Sequence, residues 1–179
     1  MANILIINGH QKTPFATGRL NRTLAQEMKK YLTEKGHKVK TTTVEKGYDV
    51  VQEQKKFMWA DTIIFQYPVY WFGAPAILKQ YIQDVYAYGI FYQTSQDGYG
   101  QGGLLKGKTY MLSTTWNAPK EAFGKFLPTI DEALVAMHQA QSFVGMKALP
   151  SFSCHDVIKN PQIEKYLVDL DNHLKKVFR

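Results

Sequence analysis

The chain has 179 residues, with 22 lysines and arginines against 15 aspartates and glutamates, a net charge of +7. At 45% hydrophobic and 21% charged it has the composition of a globular protein, which argues against disorder, and its length fits one domain over residues 1–179. The basic residues come in scattered pairs (Lys29-Lys30, Lys55-Lys56, Lys175-Lys176) between helical apolar positions, so they read as solvated helix faces and no nucleic-acid partner is expected.

The apolar pattern alternates between short strands and helical periods. Ile4-Leu5-Ile6-Ile7 is a continuous run, as in a strand covered on both faces of a parallel sheet. It is also too short for a secretion signal, and no run approaches the ~20 residues that span a bilayer, so no integral membrane segment is expected. Leu20, Leu24, Met28, Tyr31 and Leu32 make one helical face, and Gly36 ends that helix. Val39 to Val44 suggests a second strand nearer an edge. A short helix over Gln52–Trp59 leads into a third strand, Thr62–Phe65. Pro75 opens a helix that buries Ile77, Leu78, Tyr81, Ile82 and Val85. The segment 89–103, rich in Gly, Tyr, Gln and Ser, reads as one long functional loop. Thr109–Leu112 is the fourth strand, Ile130 to Met137 a helix, and Ala148–Ser153 a fifth strand interrupted by Pro150. The last helix starts with Asn160 as cap and Pro161 next, burying Ile163, Tyr166, Leu167, Leu170, Leu174 and Val177. The expected fold is α/β, a five-stranded parallel sheet with helices on both faces.

Cys154, the single cysteine, rules out an intrachain disulfide, and a reducing, cytoplasmic setting is the simplest home. In Phe152-Ser153-Cys154 it reads as a small buried hydrophobe.

In an open parallel sheet, ligands bind beyond the carboxyl ends of the strands. After strand one, Thr17, Gly18 and Asn21 fall where the next helix begins, and free N–H groups there form an anion site. After strand three, Pro68-Val69-Tyr70-Trp71-Phe72 places three consecutive aromatics in a loop, a surface suited to a planar ring. After strand four, Ser113-Thr114-Thr115-Trp116-Asn117-Ala118 offers hydroxyls, an indole and an amide that suit the polar edge of such a ring. His10 follows strand one directly and is the histidine expected at the ligand, whereas His37 reads as exposed and His138 and His173 as structural. There is no metal-ligand spacing and no nucleophile arrangement.

The segments ILIINGH, TGRLNRTL, QYPVYWFGAPAILKQYIQDV, YMLSTTWNAP and EAF resemble the NAD(P)H:quinone oxidoreductase family, over nearly the whole chain. That resemblance implies a flavodoxin-like homodimer that binds FAD and uses NADPH or NADH to reduce a quinone. It places Thr17, Gly18, Leu20, Asn21 and Thr23 at the pyrophosphate. Pro68, Val69, Tyr70, Trp71 and Phe72 fall along the isoalloxazine, with Thr115, Trp116, Asn117 and Ala118 at its other edge. Tyr99 resembles a tyrosine that closes over the cofactor. The implied reaction is two-electron and ping-pong, through flavin N5 to the quinone. Backbone donors from Thr115–Asn117 would steady the reduced ring, and no side chain is an essential acid or base, with Tyr70 and Tyr99 as candidate proton donors. A regulatory flavoprotein, like the accessory subunits of potassium-efflux systems, is the rival reading, and an FMN electron carrier a third.

Overall fold

The computed structural model describes residues 1–178. Its first strand, β1 (Asn3–Asn8), shows why a continuous apolar run was needed there. Ile4 and Ile6 enter one core layer and Leu5 and Ile7 the other, all fully buried. β2 (Lys38–Thr43) lies on one side of β1 and β3 (Thr62–Pro68) on the other, both parallel to it. β4 (Thr109–Thr115) follows β3, and the sheet order is β2-β1-β3-β4-β5.

The expected fifth strand is two segments. β5 (Lys147–Ala148) and β6 (Phe152–Cys154) both pair in parallel with β4, so six strands fill five positions. Pro150 between them has no N–H to give to the ladder. Cys154 is buried, and burial pushes its thiol up to about 12, away from reactivity.

Helices α1 (Arg19–Glu34) and α6 (Ile163–Val177) cover one face, packing Leu24, Met28, Leu32, Leu170 and Leu174 against Ile4, Ile6, Ile64 and Met111. Helices α2 (Val50–Trp59), α3 (Ala76–Val85), α4 (Ile130–Ala133) and α5 (Val135–Phe143) lie on the other face, over Leu5, Ile7, Phe65 and Leu112. α1 ends as its Gly36 foretold: the Gly36 N–H bonds the Thr33 carbonyl and the His37 N–H the Leu32 carbonyl, with Gly36 at φ 83°.

Two helix boundaries differ from the sequence expectation. The span 130–137 is broken at Leu134 into α4 and α5. The last helix starts at Ile163 instead of after Asn160, because the Asn160 N–H closes a turn onto the Asp156 carbonyl (3.2 Å), and Ile163 is left 43% exposed. His37 is half-buried rather than exposed, its Nδ1 accepting from the Ala2 N–H (3.2 Å). Chain order reverses at β1, between β2 and β3, and the carboxyl ends of β1, β3 and β4 open there on one edge.

Candidate active site

At the end of β1 the Asn8 side chain accepts from the His10 N–H (3.1 Å), and the Gly9 N–H bonds the Gln66 carbonyl (2.9 Å). Thr13 and Ala16 then pair in both directions, closing a turn that leaves Phe15 98% exposed at its tip. Gly18 follows at φ 70°, and a Cβ there would fall 2.0 Å from the His10 imidazole. Only glycine lets His10 lie beneath the start of α1. That start carries no side-chain cap and no acidic residue in its first turn. The first intrahelical bond is from the Arg22 N–H to the Gly18 carbonyl, so the N–H groups of Gly18, Arg19, Leu20 and Asn21 find no partner among the described residues. Free donors, the positive dipole end and the Arg19 and Arg22 side chains together are suited to an anion. His10 is buried with its Nε2 unpartnered, and burial lowers its pKa from 6.5 against the pull of Glu45 and the Ala16 carbonyl.

The turn after β3 is strained. Tyr70 and Gly73 exchange backbone hydrogen bonds at 3.0 Å each way, which forces Trp71 to φ 49° and Phe72 to φ 61°. Left-handed backbone costs a bulky residue about 1–2 kcal/mol, and strain of this kind concentrates where function requires it. Neither N–H has a protein partner among the described residues. Trp71 is 96% exposed and Phe72 half so, while the Tyr70 hydroxyl is buried without a partner and burial raises its pKa.

Beyond β4, the Asn117 and Ala118 N–H groups are also unpartnered among the described residues. One cavity of about 280 Å³ joins these elements. His10, Thr17, Gly18, Leu20 and Asn21 line it from the first loop, Pro68, Val69 and Tyr70 from the second, and Thr115 and Asn117 from the third. Sequence reasoning missed Phe15, Ala16 and Arg19, and also Val157 and Ile158, which follow β6 and close the cavity. The rule that sends attention beyond every strand end would have found the last two.

Other expected residues go elsewhere. The Thr23 hydroxyl donates to the Arg19 carbonyl (3.0 Å), one turn into α1 and off the cavity wall. Trp116 is turned into the core: its N–H bonds the Cys154 carbonyl, its indole N–H the Thr114 hydroxyl (2.8 Å each), and its ring meets Phe123 edge-on. Thr115 belongs to β4, flanked by β3 and β6, so its part in the cavity is its hydroxyl rather than a free backbone donor. The Ala118 carbonyl is held by the Asp156 N–H, and Ala118 does not line the cavity. Trp71 and Phe72 project beyond the cavity, Phe72 into a neighbouring apolar groove against α3 and α5. Tyr99, 96% exposed, packs on Phe143 beside a different hollow, with Tyr88 and Tyr92. Among the remaining histidines, His138 meets the Tyr110 hydroxyl, His155 that of Ser153, and His173 the Pro150 carbonyl. Among the described residues no cluster of three or more metal-ligating side chains occurs, and no helix is long and apolar enough to cross a membrane.

The model of a family described as having the flavodoxin-like fold matches residues 2–174. The chain is 43% identical over 190 residues to the NADPH:quinone oxidoreductase MdaB of Haemophilus influenzae, covering 98% of this chain and 99% of that one. It belongs to the flavodoxin-like NAD(P)H:quinone oxidoreductases. A solved Klebsiella pneumoniae protein named as a quinone reductase is similar across all of this chain and 86% of its own, with a TM-score of 0.85 and 26% identity. The general stress protein 14 of Treponema denticola, solved in complex with FMN, matches with a TM-score of 0.76 over 99% of both chains, and at 20% identity it shares the fold alone. These oxidoreductase relatives lend no support to the rival regulatory reading.

Proposed function

We propose that this protein is a cytoplasmic, FAD-dependent NAD(P)H:quinone oxidoreductase that acts as a homodimer. The observation that carries the reading is the meeting, in one cavity, of an uncapped helix start, an unpartnered buried His10 Nε2 and an unpartnered Tyr70 hydroxyl. These orphaned groups suit a ligand that is anionic at one end and a planar, polar-edged ring at the other. The free N–H groups of Gly18–Asn21 would hold the pyrophosphate. Pro68–Phe72 would border the ring on one side and Thr115–Asn117 on the other. Val157, Ile158 and exposed Phe15 flank the cavity and offer apolar surface to an adenosine half, which favours FAD over the shorter FMN.

A bound flavin supplies two-electron chemistry, from NAD(P)H to a quinone. The chain's own part is to bind, orient and hold protons. The Tyr70 phenol, its pKa raised by burial, stays protonated at neutral pH and is the cavity's proton donor to an acceptor oxyanion. The unpaired N–H groups of Trp71, Phe72 and Asn117 are fixed donors for negative charge that develops at the ring. Donor and acceptor would use the same ring face in turn, a ping-pong cycle. Trp71, Phe72, Tyr99 and Phe126 expose more aromatic surface than one chain should leave bare, and Tyr99 does not reach its own cavity. A second copy would cover Trp71, and Tyr99 would close upon the cavity of that copy.

Acid-released cofactor compared with FAD and FMN, menadione-dependent NADPH and NADH oxidation, and mass by light scattering test the parts separately. We expect stoichiometric FAD, turnover and twice the 20.5 kDa chain mass. A fully flavinylated protein without quinone-dependent oxidation would overturn the enzymatic reading.

A further inference from the structure

Behind the cavity wall runs a buried chain of four polar side chains. Ser113 Oγ donates to Gln66 Oε1 (2.6 Å), Gln66 Nε2 donates to Asn21 Oδ1 (2.7 Å), and Asn21 Nδ2 donates to Thr115 Oγ1 (3.2 Å). All four are buried, Gln66 and Ser113 at 0% exposure. The two ends differ in setting. Thr115 and Asn21 line the cavity, whereas Gln66 and Ser113 lie behind it. Gln66 and Ser113 are direct cross-strand partners on β3 and β4, and Asn21 is in the first turn of α1, so the chain ties three elements whose ends form the site.

The bonds run one way. An amide has a donor end and an acceptor end, and a hydroxyl has one proton to give. Thr115 Oγ1 already receives a proton from Asn21, and its own proton is free for the cavity beside it. We propose that Gln66 is a positioning residue: by fixing the orientation of the Asn21 amide, it makes the Thr115 hydroxyl a donor into the cavity, toward a ligand that gains negative charge on accepting electrons. This rests on the flavin reading above. Chained hydrogen bonds polarise one another, which strengthens the terminal donor.

Gln66→Glu tests the direction of the chain. A carboxylate offers only acceptors, so Asn21 must turn its Nδ2 toward it and present Oδ1 to Thr115. The Thr115 proton is then drawn back to Asn21 and the cavity loses a donor. With apoprotein and added FAD, we expect the dissociation constant to rise about tenfold and the midpoint potential of bound flavin to fall. Both shifts should fade as pH drops and the introduced carboxyl takes up a proton, since it can then donate to Asn21 as the amide does. In a Thr115→Val background the potential shift should vanish, because no hydroxyl is left to turn. Ser113→Ala, remote from the cavity, frees Gln66 to turn over and should weaken FAD binding in the same direction, by about threefold. A residue that only supports the fold would lower the melting temperature and leave the potential alone. An unchanged potential in Gln66→Glu and Ser113→Ala, or a full shift that persists without the Thr115 hydroxyl, overturns the proposal. If Gln66→Glu does not fold, Ser113→Ala with and without Thr115→Val decides the matter. Wild-type protein that takes up no flavin would remove the flavin reading and this proposal together. Wild type that binds FAD, with variants indistinguishable from it, would remove the proposal alone.

Discussion

Helices α1 and α4 begin in opposite ways. At α4 the Thr129 hydroxyl accepts from the Glu132 N–H (3.4 Å) and the Glu132 carboxylate accepts from the Thr129 N–H (2.8 Å), with Asp131 adding a second negative charge to the first turn. Asp49 caps α2 in the simpler form, accepting from the Gln52 N–H at 2.8 Å. α1, four times the length of α4, has none of this: a left-handed glycine stands at its cap, no acid in its first turn, and arginines at 19 and 22. At α2 and α4 the chain satisfies these donors from within, whereas α3, α5 and α6, like α1, carry no side-chain cap. What sets α1 apart is the left-handed glycine at its cap and the orphaned His10 beneath it, an arrangement suited to an anionic ligand.

The largest test of that contrast is Gly18→Ala. Left-handed backbone costs an alanine ~1–2 kcal/mol and the methyl displaces His10, so FAD affinity should fall by about a hundredfold or more. Fluorescence titration of the apoprotein reads it, and unchanged affinity would refute the assignment of α1 as the anion site. Acid comes next, because His10 fills the space beneath that helix. His10, His138, His155 and His173 all have pKa values held below 6.5, chiefly by burial. Below 6.5 the unfolded chain therefore binds more protons than the folded one. Stability is full above that value and is lost as pH falls through the folded-state values. Urea midpoints should drop from pH 7 to pH 5, and less steeply in His10→Gln. Thr129→Ala should cost about 1 kcal/mol of stability by calorimetry and leave FAD affinity untouched. Smallest is Arg19→Glu. An acid in the first turn should stabilise the apoprotein by roughly 0.3–1 kcal/mol while weakening FAD binding about two- to fivefold. A variant that gained in both would show that α1 follows the same rule as α4.

Much of the scaffold was legible because strands covered on both faces need continuous apolar runs, as at Ile4–Ile7 and Thr62–Phe65. The loops were legible because a parallel sheet sends its ligands to one edge. Trp116 was misplaced for a reason the sequence did contain. Tyr110, Leu112, Thr114 and Trp116 alternate onto one face, and the indole continues that inward row. The break at Leu134 could not be read, since Ile130, Ala133, Leu134 and Met137 keep a helical spacing across it. Nor could the start of α6. Asn160-Pro161 is a good helix opening on local grounds, but a tertiary turn onto Asp156 claimed the Asn160 N–H first. The chain through Gln66 was invisible for another reason: its members come from three segments far apart in sequence, and only the sheet register and the packing of α1 on the sheet bring them together.

The division of the fifth sheet position by Pro150 bears on how copies of this protein would meet. A sheet margin with a long row of unpaired amides invites another strand to add to it. Here that margin is a two-residue piece, a proline and a three-residue piece, and the opposite margin, β2, carries Lys38 and Lys40. The first border offers a second chain no continuous ladder, and the second is a short six-residue strand guarded by two lysines. Self-association through the backbone, the route to fibrils, is discouraged at both sides, and contact between copies is left to side chains on the helices and loops.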